Sequence, residues 1–157
     1  MLYETPVHKD SEPTVLPFIV LSDLVIREHG TGKISMIGTF ELFNAPSFPF
    51  QCPPFFATVG VTNIQLKRSA GEPPQEVNFN VRVEDPHSGH VYGNATGKVG
   101  ILEGKTLLRN AIIPLPLPLP SMTFDKPGTV KVVLLVDNER LADRDLQINS
   151  ISAISPQ

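Results

Sequence analysis

Residues 114–120 read Pro-Leu-Pro-Leu-Pro-Leu-Pro. In an extended chain successive side chains point to opposite faces, so Leu115, Leu117 and Leu119 share one face and the prolines share the other. Each residue also directs its backbone N–H and C=O to the side opposite its neighbour's, and proline has no N–H to give. One edge of such a strand carries ordinary donors, while the other lacks them at Pro114, Pro116, Pro118 and Pro120. The segment pairs on its leucine side and ends a sheet on its proline side. A helix is excluded, because a proline at every second position removes the intrahelical bonds.

The rest of the chain carries the same period of two. Val77, Phe79, Val81 and Val83 alternate with Glu76, Asn78, Asn80, Arg82 and Glu84, the pattern of a half-buried strand. Ile34, Met36, Phe40 and Leu42 alternate with Lys33, Ser35, Thr39 and Glu41, with Gly38 placed for a bulge. Val130, Val132, Leu134 and Val136 repeat the alternation, and Asp137-Asn138-Glu139-Arg140 follows with turn chemistry. A closing strand over 141–151 sends Leu146 and Ile148 inward and Asp145, Gln147 and Asn149 outward. Segments 18–26, 55–66 and 91–99 read as further strands. Turns fall at His29-Gly30-Thr31-Gly32, Ser69 to Pro74, Asp85 to Gly89 and Gly100 to Lys105. About eight short strands at this spacing predict an all-β fold, a single antiparallel β-sandwich of immunoglobulin-like or C2-like type. It spans 15–154, after a flexible N-terminal segment over 1–14, and the proline strand forms a late edge.

Composition narrows the function classes. The 157 residues include 16 prolines and a net charge of −3, with only Lys67-Arg68 adjacent among the bases, which argues against a phosphate-binding surface and hence against nucleic acid. The single cysteine, Cys52, allows no intrachain disulfide and reads as a small buried hydrophobe. The polar, mixed-charge start lacks the form of a signal peptide, and the longest apolar runs are far shorter than the roughly 20 residues of a membrane helix. The expectation is a cytoplasmic protein without a membrane or nucleic-acid partner.

Ile34-Ser-Met-Ile-Gly38-Thr-Phe40, followed by Ala45-Pro46-Ser47-Phe48-Pro49 and later by Phe124-Asp-Lys-Pro127-Gly128, resembles an uncharacterised bacterial β-sandwich family. The likeness continues through Val136-Asp137-Asn138 and Leu141-Ala142, and runs from about Val15 to Ala153. A departure is Val130, where that family commonly has an aromatic residue. The resemblance implies the sandwich fold and brings no activity or catalytic residues with it.

Four constellations bear on chemistry. Gly100-Ile-Leu-Glu-Gly104-Lys105-Thr106 approaches a phosphate loop, but Val99 stands where glycine is required, and the proline strand takes the place of the helix whose N-terminus would hold phosphate. It reads as a glycine turn. Asp85-Pro86-His87-Ser88-Gly89-His90 contains metal-ligand types; the plain reading is a hairpin connection, and the alternative is a metal-binding protein or metal-dependent hydrolase using His87, His90 and Asp85. Asp85, Asp125 and Asp137 are too dispersed for the six to eight oxygens calcium takes. The loop from Asn44 to Pro54 shares one end of the sandwich with 85–89 and 121–128 by strand count. There Phe48, Phe50, Met122 and Phe124 either plug the core or form an apolar partner patch or ligand pocket on proline-stiffened loops. No nucleophile elbow is present. The favoured expectation is a non-enzymatic, cofactor-free module that binds an unknown protein partner or self-associates.

Overall fold

The computed structural model describes residues 17–60, 76–100 and 114–151. The expected N-terminal segment over 1–14, the Ser69–Pro74 turn and the Gly104-Lys105-Thr106 turn lie outside them. Among the described residues the chain is all-β, with eleven strands: β1 (Phe18–Arg27), β2 (Ile34–Thr39), β3 (Leu42–Ala45), β4 (Phe50–Gln51), β5 (Phe55–Gly60), β6 (Glu76–Glu84), β7 (Val91–Gly100), β8 (Leu115–Leu119), β9 (Thr123–Phe124), β10 (Gly128–Val136) and β11 (Glu139–Ser150). They form a four-stranded sheet ordered β2-β1-β5-β8, a five-stranded sheet ordered β3-β11-β10-β6-β7, and the small pair β4-β9.

The two larger sheets share one core. Ile19 and Leu21 of β1, Phe55, Ala57 and Val59 of β5, and Leu117 and Leu119 of β8 meet Val77, Phe79, Val81 and Val83 of β6, Val130, Val132 and Leu134 of β10, and Leu146 and Ile148 of β11. These are the alternating apolar positions of each strand, and burying them is the main favourable term.

Strand β8 forms as its alternation requires. Leu115, Leu117 and Leu119 lie opposite Val59, Ala57 and Phe55 of β5. Only the leucines have N–H groups for that ladder, so the prolines face the free edge. On the other side of the core, the inward face of β7 is made of Gly93, Ala95 and Gly97. A Cβ on Gly97 would lie 2.7 Å from Cδ2 of Leu117 and 3.0 Å from Cδ2 of Leu115, and one on Gly93 would lie 2.8 Å from Sδ of Met122. Hydrogens at these two positions let β8 and its following loop close onto β7.

Two features differ from the sequence expectation. The alternation over 33–42 spans two strands rather than one: the chain leaves the four-stranded sheet at Phe40-Glu41 and enters the five-stranded sheet as β3. Gly38, at φ 67°, precedes this crossing, and the Asp23 side chain occupies the space a Cβ would take there. Leu42 and Met36, which the alternation assigns to the interior, are exposed. The sandwich is also not wholly antiparallel, because β3 runs parallel to β11, with Phe43 opposite Ile148. The Asp137-Asn138 turn is as expected: both residues have positive φ, 48° and 67°, joining Val136 to Glu139 in the conformation that favours Asn and Asp in two-residue hairpins.

Two outcomes test this account. Pro116→Thr with Pro118→Thr returns two donors to the outer edge of β8, and the double variant should sediment as larger species than the parent at equal concentration; an unchanged profile would show that the edge is closed. Gly97→Val should lower the unfolding free energy by about 1–3 kcal/mol in urea titration, the usual cost of overfilling a packed core.

Candidate functional site

At one end of the sandwich the loops expected to converge do so. Phe50 pairs with Phe124 and Gln51 with Thr123, Cys52 N–H donates to the Met122 carbonyl at 2.9 Å, and the Ser121 hydroxyl donates to the Cys52 carbonyl at 2.6 Å. The Phe48–Pro49 peptide is cis. Met122 and Phe124 are only 3% and 1% exposed, and Phe48 and Phe50 are half-buried against the same core. Phe40, Phe43, Phe50 and Phe55 follow one another with ring centroids 4.8–5.9 Å apart, in the tilted and edge-on geometries aromatic rings prefer. The four candidate residues therefore stand in the plug that closes this end. Cys52 is buried with them, and burial raises its thiol pKa.

The histidine loop borders the same end. Asp85 Oδ1 accepts the backbone N–H groups of His87 at 2.7 Å and Ser88 at 3.1 Å. The loop is closed by Asp85 N–H to the His90 carbonyl at 2.8 Å and by His90 N–H to Ser88 Oγ at 3.2 Å. The His87 and Ser88 amides, with smaller help from the charges of His87 and Lys126, hold the Asp85 carboxyl below its ordinary range. The His90 ring meets Tyr92 edge-on at 4.9 Å, and Tyr92 meets Phe124 at 4.9 Å. Desolvation, reinforced by Asp85 and Asp125, pushes the Tyr92 phenol upward. Asp85 thus serves as the side-chain acceptor of an Asx-type turn. Among the described residues no group of three or more His, Cys, Asp or Glu side chains is placed to share a metal ion.

Arg144 is a residue the sequence reading missed. It follows the parity of Leu146 and Ile148 onto the inward face of β11, opposite Val132. Its Nη1 donates to the Ile19 carbonyl of β1 at 2.8 Å, and its Nη2 meets Glu41 at 2.7 Å. The guanidinium ties the two sheets together beside a cleft of about 590 Å³ lined by Val20, Leu21, Thr39, Phe40, Glu41 and Arg144.

The most apolar exposed surface lies elsewhere. Phe18–Ser22 of β1 pair with β5, but Leu24–Arg27 pair only with β2 among the described residues. The end of this hairpin projects as a two-stranded ribbon. Leu24 and Ile37 face each other across it, with Ile26 next along the same face, and they are 47%, 48% and 47% exposed. Met36 is exposed on the opposite face.

A model of a family of unknown function, DUF6941, matches residues 17–149. The chain belongs to this family. Neither the curated proteins nor the solved structures gave a match. The DUF6941 match covers both sheets, the aromatic plug and the ribbon, so all of these belong to one domain family. Among the described residues of this DUF6941 chain, no helix is long and apolar enough to cross a membrane.

The Asp85 geometry sets a pH test. Because its pKa is lower folded than unfolded, the stability it adds is present above about pH 4, the ordinary carboxyl value, and is lost as pH falls through the folded value. The melting temperature of Asp85→Ala should lie below the parent's at neutral pH, and the gap should narrow as pH falls below about 4. A gap unchanged with pH would show that the ionised carboxylate contributes nothing.

Proposed function

We propose that this DUF6941 chain is a non-enzymatic β-sandwich that acts as a protein-binding module, and that its binding surface is the β1–β2 ribbon. The observation that carries the reading is the contiguous exposure of Leu24, Ile26 and Ile37 on one face of an edge hairpin. Contiguous exposed apolar groups mark interaction sites. An edge strand adds a second attraction, since its unpaired N–H and C=O groups accept a further strand.

The four edges of the two sheets support this choice. Edge β8 has its donors removed by proline, β3 is only four residues long, and β7 sends Asn94, Thr96 and Lys98 outward and leans on β8 across the core. These are familiar ways of making an edge unattractive. Strand β2, Ile-Ser-Met-Ile-Gly-Thr, has no proline and no charge. Among the described residues it pairs on one side only, with β1.

The reading is tested by placing a photo-reactive benzoylphenylalanine at position 26 and, separately, at position 98 of β7, then irradiating in the native host. Adducts formed from position 26 and not from position 98 are expected. Equal labelling from both positions, or none from position 26, would overturn it.

A further inference from the structure

We propose that β2 pairs antiparallel with β2 of a second copy of this chain, about a two-fold axis near Met36, to make a closed dimer; the inference rests on the ribbon being the binding surface. The phase of the ladder comes first. Glu28 N–H donates to the Lys33 carbonyl at 2.8 Å, so Lys33 directs its backbone groups toward β1. In an antiparallel pair these directions alternate residue by residue. Ser35 and Ile37 therefore also face β1, and the N–H and C=O of Ile34 and Met36 face outward. A copy of β2 related by a two-fold axis at Met36 places Met36 opposite its counterpart, where the two residues exchange a pair of hydrogen bonds. No rearrangement of the fold is needed, because these groups already point the right way.

Side chains favour the same arrangement. About that axis Ser35 lies opposite Ile37 of the second copy, so both Ile37 side chains come together on the outer face, beside Leu24 and Ile26 of each copy. The two apolar patches become one.

The other edge of the sheet makes the assembly finite. The sheet order β2-β1-β5-β8 becomes, in the dimer, a continuous sheet with β2 strands at its centre and a proline-bearing β8 at each end. Using the same edge on both copies makes the contact isologous, so it closes at two. Neither end offers donors for a third copy.

The test exploits the single cysteine, Cys52, which is fully buried. Met36→Cys brings two thiols together across the proposed axis, where the Cα separation of a paired residue, about 5.5 Å, suits a disulfide. Mild oxidation of the full chain should give a covalent dimer from Met36→Cys, and Lys98→Cys should not. In sedimentation at about 100 µM the parent should run at twice the chain mass, and Ile37→Lys, a surface change that leaves the core intact, should raise the dimer dissociation constant by about tenfold or more. A monomeric parent, or equal disulfide formation at both positions, overturns self-pairing. A monomeric parent whose position 26 still labels a different protein refutes the second copy as occupant and leaves the ribbon reading standing; a monomeric parent with no labelling refutes both.

Discussion

The contact between β8 and β7 is the constraint that the rest of this sandwich accommodates. Leu115 and Leu117 enter the core from one sheet margin, and Gly97 on the facing margin has no Cβ to resist them. With Ala95 between Gly93 and Gly97, the inward face of β7 is a shallow trough of small side chains. Bulk on β8 is matched by its absence on β7, and this complementarity sets how closely the sheets approach on this side. The Phe50–Phe124 pair and the Met122 side chain close the adjoining end. On the opposite side, where β1 faces β11, a polar link through Arg144, the Ile19 carbonyl and Glu41 is added to the packing. One margin is closed by apolar fit alone, the other by apolar packing and a guanidinium.

What the sequence disclosed, it disclosed through alternation. Strands β6 and β8 keep a strict period of two, β10 keeps it on its inward face through Val130, Val132 and Leu134, and each buries the predicted face. The shared end of the 44–54, 85–90 and 121–128 loops was also legible, because counting antiparallel strands fixes which turns lie together. The break at Phe40-Glu41 was not. Period two continues across it without a slip, so nothing local separates β2 from β3; only the parallel partner β11 does, and that contact is more than 100 residues away in sequence. Strands β4 and β9, with two residues each, are too short to carry a period. The exposure of the ribbon is not legible for a related reason: alternation puts Met36 on an inward face and assigns no face to Leu24, Ile26 or Ile37, and it cannot see that β5 stops short of them. Arg144 was overlooked because its parity is inward while its chemistry is outward.

The outer face of the five-stranded sheet shows that exposure of the ribbon is not a general property of this chain. Val133 and Leu135 also point away from the core, yet they are 2% and 9% exposed. Their register explains it: Val133 lies between Arg82 and Asp143, and Leu135 between Asn80 and Arg140. Around them Lys131 joins Asp143 and Asp145, and Arg140 joins Glu84 and Asp143. Hydrogen bonds to Asp145 and then Asp143 raise the Lys131 pKa, while Lys131 and then Arg140 lower that of Asp143. Each exposed pair is worth little by itself. The long side chains matter more for the apolar surface their stems cover.

The ribbon has no such roof. Across it Leu24 meets Ile37 directly, and Ile26 meets only Ser35. Within the paired strands its charged residues, Asp23 and Arg27, share the parity of Val25, on the face opposite Leu24 and Ile26, and Glu28 and Lys33 come only at the turn end. Within one fold, then, the outward-facing apolar residues at the centre of the five-stranded sheet are covered by cross-strand ion pairs, while those of the ribbon are left bare beside an edge that keeps its backbone donors. Uncovered side chains and unpaired donors reinforce each other, since a strand added to β2 satisfies both together. Prolines at the far edge of the same sheet oppose its further growth. Attraction confined to one edge and blocked at the other is the physical condition for limited pairing rather than open-ended stacking.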